Sequence, residues 1–273
     1  MRVVVAATAP FGAAVLAGLV RTHEIELLLT RPDRPRGRGR RLAGSPAKEE
    51  ADRLGIAVLQ AERLGSAPGT APIVVVCGYG MLIPDELLEE RLWLNVHPSL
   101  LPRWRGAAPV ERALMAGDRE TGVTIHRATS DLDAGPVAAQ MAFPIGQEDD
   151  AGLVYTRAAA VAVELLDELL AQPDRIEFEP QAPEGATYAQ KITRADRELD
   201  FSRPAEEVVN RVRALSPHIG ARTIVRGRPL TVWSARPAGP GAQLMVGRVE
   251  LVEVQPDGRR RMTGAEFLRG LRA

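Results

Sequence analysis

Pro72-Ile73-Val74-Val75-Val76-Cys77-Gly78 is the stretch that decides the fold. Five apolar residues, nearly all β-branched, run unbroken between a proline and a glycine, the pattern of a strand buried on both faces of a parallel sheet. Working outward, Val3 to Ala6 predicts a first strand, Thr8 to Pro10 a turn, and Phe11 to Val20 a helix of amphipathic period. Glu26 to Thr30 predicts a second strand. A further helix follows, with Ser45 as N-cap, Pro46 at its first position and Glu49 nearby. Leu92 to His97, Val123 to Arg127 and Pro136 to Phe143 predict more strands, and Ala151 to Ala171 one long helix. Strands alternating with helices imply an α/β, Rossmann-like doubly wound architecture. Ligands of such sheets bind beyond the carboxyl ends of the strands, which places the residues ending Leu92–His97 well for chemistry.

Gln172 to Ala186 is rich in Pro, Glu and Gly and reads as a linker, so the expected domains are 1–186 and 187–273. Beyond Phe201 a helix is predicted over Ala205 to Leu215. Paired β segments at Ala221–Val225 and Leu230–Ala235 flank a tight Arg226-Gly227-Arg228 turn. Val246 to Val254 adds one more β segment, closed by a Pro256-Asp257-Gly258 turn. The second domain is therefore expected to be small and mostly β. No internal repeat is evident.

The formal net charge is zero, but it is divided. Residues 191 to 273 carry sixteen Lys/Arg against nine Asp/Glu, while residues 1 to 190 carry nineteen against twenty-six. Such asymmetry suits polyanion binding by the basic part, and equally a well-solvated arginine-rich face. The lone cysteine, Cys77, excludes an internal disulfide and a cysteine-rich metal site, which points to a reducing, cytoplasmic setting. No apolar run is long enough for a membrane span, and the opening MRVVVAATAP reads as a buried strand and turn rather than a signal peptide.

The densest chemical constellation is Asn95-Val96-His97-Pro98-Ser99-Leu100-Leu101-Pro102. Period-two alternation puts Asn95 and His97 on one face of their strand. An amide that can bond a developing oxyanion, beside an imidazole that handles protons near neutral pH, suits acyl transfer. The bland alternative is a core histidine beside a turn-capping asparagine. In Asp131-Leu132-Asp133-Ala134-Gly135 the glycine allows a turn of positive φ, and Asp133 can orient an imidazolium. An acidic turn is the commoner reading, and spacing alone does not bring Asp133 to His97. Arg31-Pro32-Asp33-Arg34-Pro35-Arg36-Gly37-Arg38-Gly39-Arg40-Arg41 reads as an extended, flexible basic loop rather than a helix. Its arginines suit phosphate contacts to RNA, or a solvated linker. Tyr79 and Gly80, after a strand, could cradle a ligand, but no G-x-G-x-x-G opens the first βα unit, which argues against a nicotinamide enzyme. His23, His126 and His218 show no metal-ligand spacing and read as structural, so no metal is expected. Cys77 reads as packing, and Trp104 as either a stacking or a packing residue.

These stretches together resemble the methionyl-tRNA formyltransferase family over nearly the whole chain. RPDRPRGRGRRLAGSPAKEEA is similar to the family's basic insertion, LNVHPSLLPRWRGAAPVERALMAGDRETGVTIHRATSDLDAGPVAAQ to its catalytic core, and TYAQKITRADRELDFSRPAEEV to the entry of its C-terminal domain. The resemblance implies 10-formyltetrahydrofolate as formyl donor, the α-amine of initiator Met-tRNA as acceptor, and a monomer. It implies catalytic roles for Asn95, His97 and Asp133, and folate contacts from Ser99, Leu100, Leu101, Pro102, Tyr79 and Gly80. It implies tRNA contacts from Arg31, Arg34, Arg36, Arg38, Arg40 and Arg41, and an oligonucleotide-binding-type β-barrel in the C-terminal domain. The chain departs from the family in Ala7-Thr8-Ala9-Pro10, where Gly-Thr-Pro is usual, and in Pro98, where many members have glycine. His-Pro-Ser-Leu-Leu-Pro is similar to glycinamide ribonucleotide formyltransferases, and Thr124-Ile125-His126-Arg127 to sugar-nucleotide formyltransferases. The segment between Ala235 and Val246 is short, as if one or two barrel strands were missing. A sugar-nucleotide formyltransferase and a silent RNA-binding relative stay open as alternatives.

Overall fold

The computed structural model describes residues 1–36, 39 and 41–271. The chain runs β1 (Arg2–Ala7), α1 (Pro10–Leu19), β2 (Glu24–Thr30), β3 (Arg34–Arg36), β4 (Arg41–Ala43), α2 (Pro46–Leu54), β5 (Val58–Gln60), β6 (Ile73–Cys77), α3 (Asp85–Glu90) and β7 (Leu92–His97). It continues through β8 (Arg105–Gly106), α4 (Pro109–Ala116), β9 (Glu120–Arg127), β10 (Val137–Pro144), α5 (Ala151–Ala171) and β11 (Tyr188–Ala189). Last come α6 (Arg194–Arg197), α7 (Ala205–Leu215), β12 (Ala221–Val225), β13 (Arg228–Pro237), β14 (Met245–Val246), β15 (Val249–Pro256), β16 (Met262–Thr263) and α8 (Gly264–Arg269). They form two compact units: Met1–Arg105 with Gly122–Phe143 and Tyr155–Thr187, and Gly106–Thr121 with Pro144–Val154 and Tyr188–Ala273.

The first unit is built on a seven-stranded sheet of order β10-β9-β7-β6-β1-β2-β5. β5, β2, β1, β6 and β7 are parallel, and β9 runs antiparallel to β7. The order reverses between β1 and β6, so the crevice beyond their carboxyl ends is the topological switch point of a doubly wound sheet. Alternation divides the core. Val3, Val5, Ala7, Val75, Cys77, Leu94 and Val96 face one way, with Val15 and Leu16 of α1 and Ala158, Ala162 and Leu166 of α5. Val4, Ala6, Leu29, Val74, Val76 and Trp93 face the other, with Tyr79 and Leu87. Each such side chain, taken fully out of water, contributes about 1.5–3 kcal/mol. Asn95 and His97 share the parity of Trp93 and so belong to the second face.

The described residues of the basic stretch depart from the open loop that its Pro and Gly content suggests. They pair as a short hairpin, Arg34 opposite Ala43, Pro35 opposite Leu42 and Arg36 opposite Arg41. A proline is tolerated there because a two-stranded ribbon leaves half its backbone groups unpaired. Ser45 caps α2 as expected, accepting the Lys48 amide at 3.1 Å.

In the second unit β12, β13, β15 and β14 form a sheet, with β16 on β15. Val208, Val212 and Leu215 of α7 pack there against Leu230, Val232, Leu251 and Val254. The β12–β13 turn is Arg226-Gly227, both at positive φ (50° and 73°), the conformation that matches strand twist in a two-residue hairpin. The expected single segment over Val246–Val254 is instead two strands, with Val246 opposite Val249 around Gly247 at φ 58°. Helix α8, which sequence reading missed, starts with a reciprocal capping box between Thr263 and Glu266. Among the described residues the strands form an open path rather than a closed barrel. No helix among them is long and apolar enough to cross a membrane.

Gly12 of α1 sits where a Cβ would collide with the Cys77 carbonyl and stand 2.7 Å from the Ala7 Cβ. Gly12→Ala gains about 1 kcal/mol of helix propensity. Forcing a methyl against two strands is expected to cost more, about 1–3 kcal/mol. A net fall in melting temperature is the expected outcome; an unchanged or raised one would show that α1 can lift off the sheet.

Candidate active site

β7 and β9 pair antiparallel, with Asn95 opposite His126 and His97 opposite Thr124. Residues 129–135 then turn back over the same face. The Asn95 carboxamide nitrogen donates to Asp133 Oδ1 at 3.0 Å and to His126 Nε2 at 2.9 Å. His126 Nδ1 lies 2.9 Å from the Arg127 carbonyl oxygen, which can only accept. Nδ1 therefore carries the proton, and Nε2 is the bare acceptor for Asn95. Both N–H groups of Asn95 are thereby engaged, and turning the amide over would set its oxygen against the Asp133 carboxylate.

His97 is oriented by the same logic. Its Nε2 donates to the Trp104 carbonyl at 2.8 Å, and its Nδ1 faces Asp133 Oδ2 at 3.6 Å. Burial lowers the His97 pKa below its ordinary value, against the raising effect of Asp133, so the ring is neutral near neutral pH with an open Nδ1. Two strained positions deliver these contacts: Trp104 at φ 63° and Asp133 at φ 50°. The 129–135 turn does not use Gly135 for positive φ, as sequence reading expected. That conformation falls on Asp133, and Gly135 is needed because a Cβ there would collide with the Arg127 carbonyl. Gln181 braces the turn, donating to the Asp133 and Gly135 carbonyls at 2.8 Å each and accepting from Arg105 at 2.7 Å. The 172–186 stretch is thus tied to the sheet, also through a β-bridge between Glu179 and Val137.

Asn95, His97 and Asp133 are brought together. His126, read from sequence as structural, stands with them; alternation in T-I-H against N-V-H across two strands was the signal available. Ser99 is fully buried, its hydroxyl donating to the Arg103 carbonyl at 2.7 Å. The Leu101 amide and the Ser99 carbonyl both bond the Thr124 hydroxyl, at 3.1 and 2.7 Å, so residues 99–102 form a fixed turn behind His97 with Leu100 and Pro102 partly exposed. Tyr79 is buried and Gly80 lies at φ 70°. Arg31 is half-buried, and Arg34 and Arg41 are exposed on the hairpin with Arg36 in its first strand. Arg38 and Arg40 lie outside the described residues. His23 is structural, bonded to Asp167 at 2.9 Å, and burial pushes the Cys77 thiol far up, so it is inert.

A neutral imidazole, a carboxylate and an oriented carboxamide at the carboxyl edge of a doubly wound sheet form an acyl-transfer type of site. Residues 1–170 match the family model described as formyl transferase, and residues 191–272 that of the formyl transferase C-terminal domain. The methionyl-tRNA formyltransferase of Chromobacterium violaceum is 39% identical over 99% of this chain and 96% of its own length. That of Paracoccus denitrificans is 39% identical over 99% and 98%. The chain belongs to the formyl transferase family, among the methionyl-tRNA formyltransferases. Solved structures show the same fold at low identity. They include HypX from Aquifex aeolicus in complex with tetrahydrofolic acid (TM-score 0.67, 20% identity, 98% of this chain and 46% of that one). Another is the N-formyltransferase from Helicobacter canadensis in complex with folinic acid and dTDP-3-aminofucose (0.69, 16%, 96% and 98%).

His126→Leu would leave a half-buried Asn95 N–H without its partner, an expected loss of about 1 kcal/mol in denaturant unfolding. His126→Gln, whose amide oxygen can accept, should recover most of it. Equal stability of both variants with the parent would mean that Asn95 does not depend on His126.

Proposed function

We propose that this chain transfers the formyl group of 10-formyltetrahydrofolate to the α-amine of initiator methionyl-tRNA. The observation that carries the reading is the convergence of Asn95, His97 and His126 on one carboxylate, Asp133, in a chain similar over its length to methionyl-tRNA formyltransferases. A folate-type donor is supported by the folates bound in structures of the same fold. The backbone at Tyr79 and Gly80 and the fixed 99–102 turn flank the reacting face and would contact that donor.

The amine nitrogen attacks the formyl carbon, forming the new C–N bond and a tetrahedral oxyanion. Collapse breaks the bond to N10 of the folate, which takes up a proton as the attacking amine gives one away. His97, neutral and with Nδ1 open, can accept a proton without releasing the Trp104 carbonyl, and the imidazolium then faces Asp133. Asn95 supports the oxyanion by turning toward it the N–H it gives to His126. We further propose residues 1–186 as the catalytic domain and 187–273 as the tRNA-binding one. Arg34 and Arg41 of the hairpin, with Arg36, Arg38 and Arg40, would hold phosphates.

Formylation of Met-tRNA beside amino-sugar nucleotides is the direct test; transfer only to a sugar amine would overturn the acceptor. Turnover should follow neutral His97. Burial lowers its pKa, so activity is expected to hold as pH falls through about 6.5 and to fail only below. Asp133 raises that pKa, so Asp133→Asn should move the acid limb further down while cutting turnover at least about a hundredfold. An acid limb moving up would contradict the assignment. Arg34→Ser with Arg41→Ser should lower tRNA affinity and reduce the salt slope by about two, sparing folate binding. An unchanged slope would remove the hairpin from the RNA site.

A further inference from the structure

Arg31 Nε and the Tyr79 hydroxyl are buried side-chain atoms with no hydrogen-bond partner among the described residues. Buried donors are nearly always paired, so two orphans at one end of one sheet call for an explanation. Tyr79 is 2% exposed. Burial pushes its hydroxyl up to about 12 against the opposing pull of Arg31, so it bears a proton at neutral pH. Arg31 follows the last residue of β2, and Gly80 at φ 70° lets its guanidinium lie over the backbone; a Cβ there would stand 3.4 Å from Nη2. The carboxylate nearest in sequence does not neutralise it. Asp33 is bonded to Gln60 at 2.6 Å and paired with Lys48 at 3.8 Å, while Gln60 also donates to the Arg31 carbonyl. A half-buried cation and a buried hydroxyl therefore share a need for an acceptor of negative charge.

We propose that Arg31 and Tyr79 form a subsite for the phosphate of the acceptor's terminal nucleotide, the one whose ribose carries the aminoacyl group. The inference rests on the tRNA reading above. Three observations favour that source of an oxyanion over a folate carboxylate. The pair flanks the switch-point crevice between β1 and β6. Arg31 leads directly into the basic hairpin, so a phosphate here continues that track. β2 lies three strands from β7, about 14 Å at about 4.8 Å per strand, and Arg31 leans back toward β6 over Gly80. A ribose and an aminoacyl ester can bridge the remaining gap and put the amine at Asn95 and His97.

The test compares methionyl esters of adenosine 5′-monophosphate and of adenosine as minimal acceptors, beside Met-tRNA. The parent is expected to prefer the phosphorylated fragment by about tenfold or more in kcat/KM, the scale of one charge-assisted hydrogen bond. Arg31→Met should lose that preference and raise the KM for Met-tRNA by a similar factor, with the KM for 10-formyltetrahydrofolate within about twofold. Tyr79→Phe should melt no lower than the parent, since it removes an unpaired hydroxyl, and should lose about threefold of the preference. A parent blind to the phosphate while active on Met-tRNA would overturn the subsite and leave the main reading standing. A KM rise confined to the folate, and abolished with a donor lacking its glutamate, would assign the cation to the donor instead. Loss of the preference in neither variant would reduce the two orphans to water-satisfied groups.

Discussion

The Asp133 carboxylate is the constraint on which the rest of this site depends. Its side chain is 10% exposed, and a charge so placed must be met by donors or abandoned as a proton-bound acid. Asn95 meets it directly with an N–H, while His97 and His126 stand 3.6 Å from its two oxygens and, in their neutral tautomers, turn unprotonated nitrogens toward it. Each contact makes a demand on the fold. Asn95 needs β9 antiparallel to β7, so that His126 lies opposite and takes its second hydrogen. Asp133 needs a backbone at φ 50° in a turn held by Gln181, whose own position depends on Arg105. Strand register, turn strain and the chain after α5 thus meet at one carboxylate.

How much of this the sequence revealed follows from the range of each interaction. The buried run Ile73–Cys77 and the helices at Ala151–Ala171 and Ala205–Leu215 were legible with their bounds, because periodicity and flanking Pro or Gly are local signals. Asn95 and His97 on one face were equally legible, since alternation needs only two residues. The meeting of Asp133 with His97 was not, because it depends on a turn over a neighbouring strand. The position of His126 was hidden for a related reason: read as structural from its lack of metal-ligand spacing along the chain, it belongs to a cross-strand pair that linear spacing does not encode. Gly247 hid a turn because Gly-Arg carries little of the Asn-Gly or Asp-Gly signal that betrays a hairpin.

In the proposed reading, the charges that would bind tRNA are kept apart from the group that would move a proton. The arginines of the hairpin and the positive surplus of residues 191–273 lie apart from His97 in sequence, and no arginine or lysine is among the groups that set its protonation, to which the Trp104 carbonyl and His126 add smaller opposing effects. That balance is burial against Asp133, with burial the stronger. Were the carboxylate to dominate, His97 would hold its proton near neutral pH and could accept no other. Were burial alone to act, the ring would be a weaker base still. In the proposed reaction Asp133 would serve two ends with one charge: it fixes the Asn95 amide, and it raises the basicity of the His97 imidazole against the effect of burial.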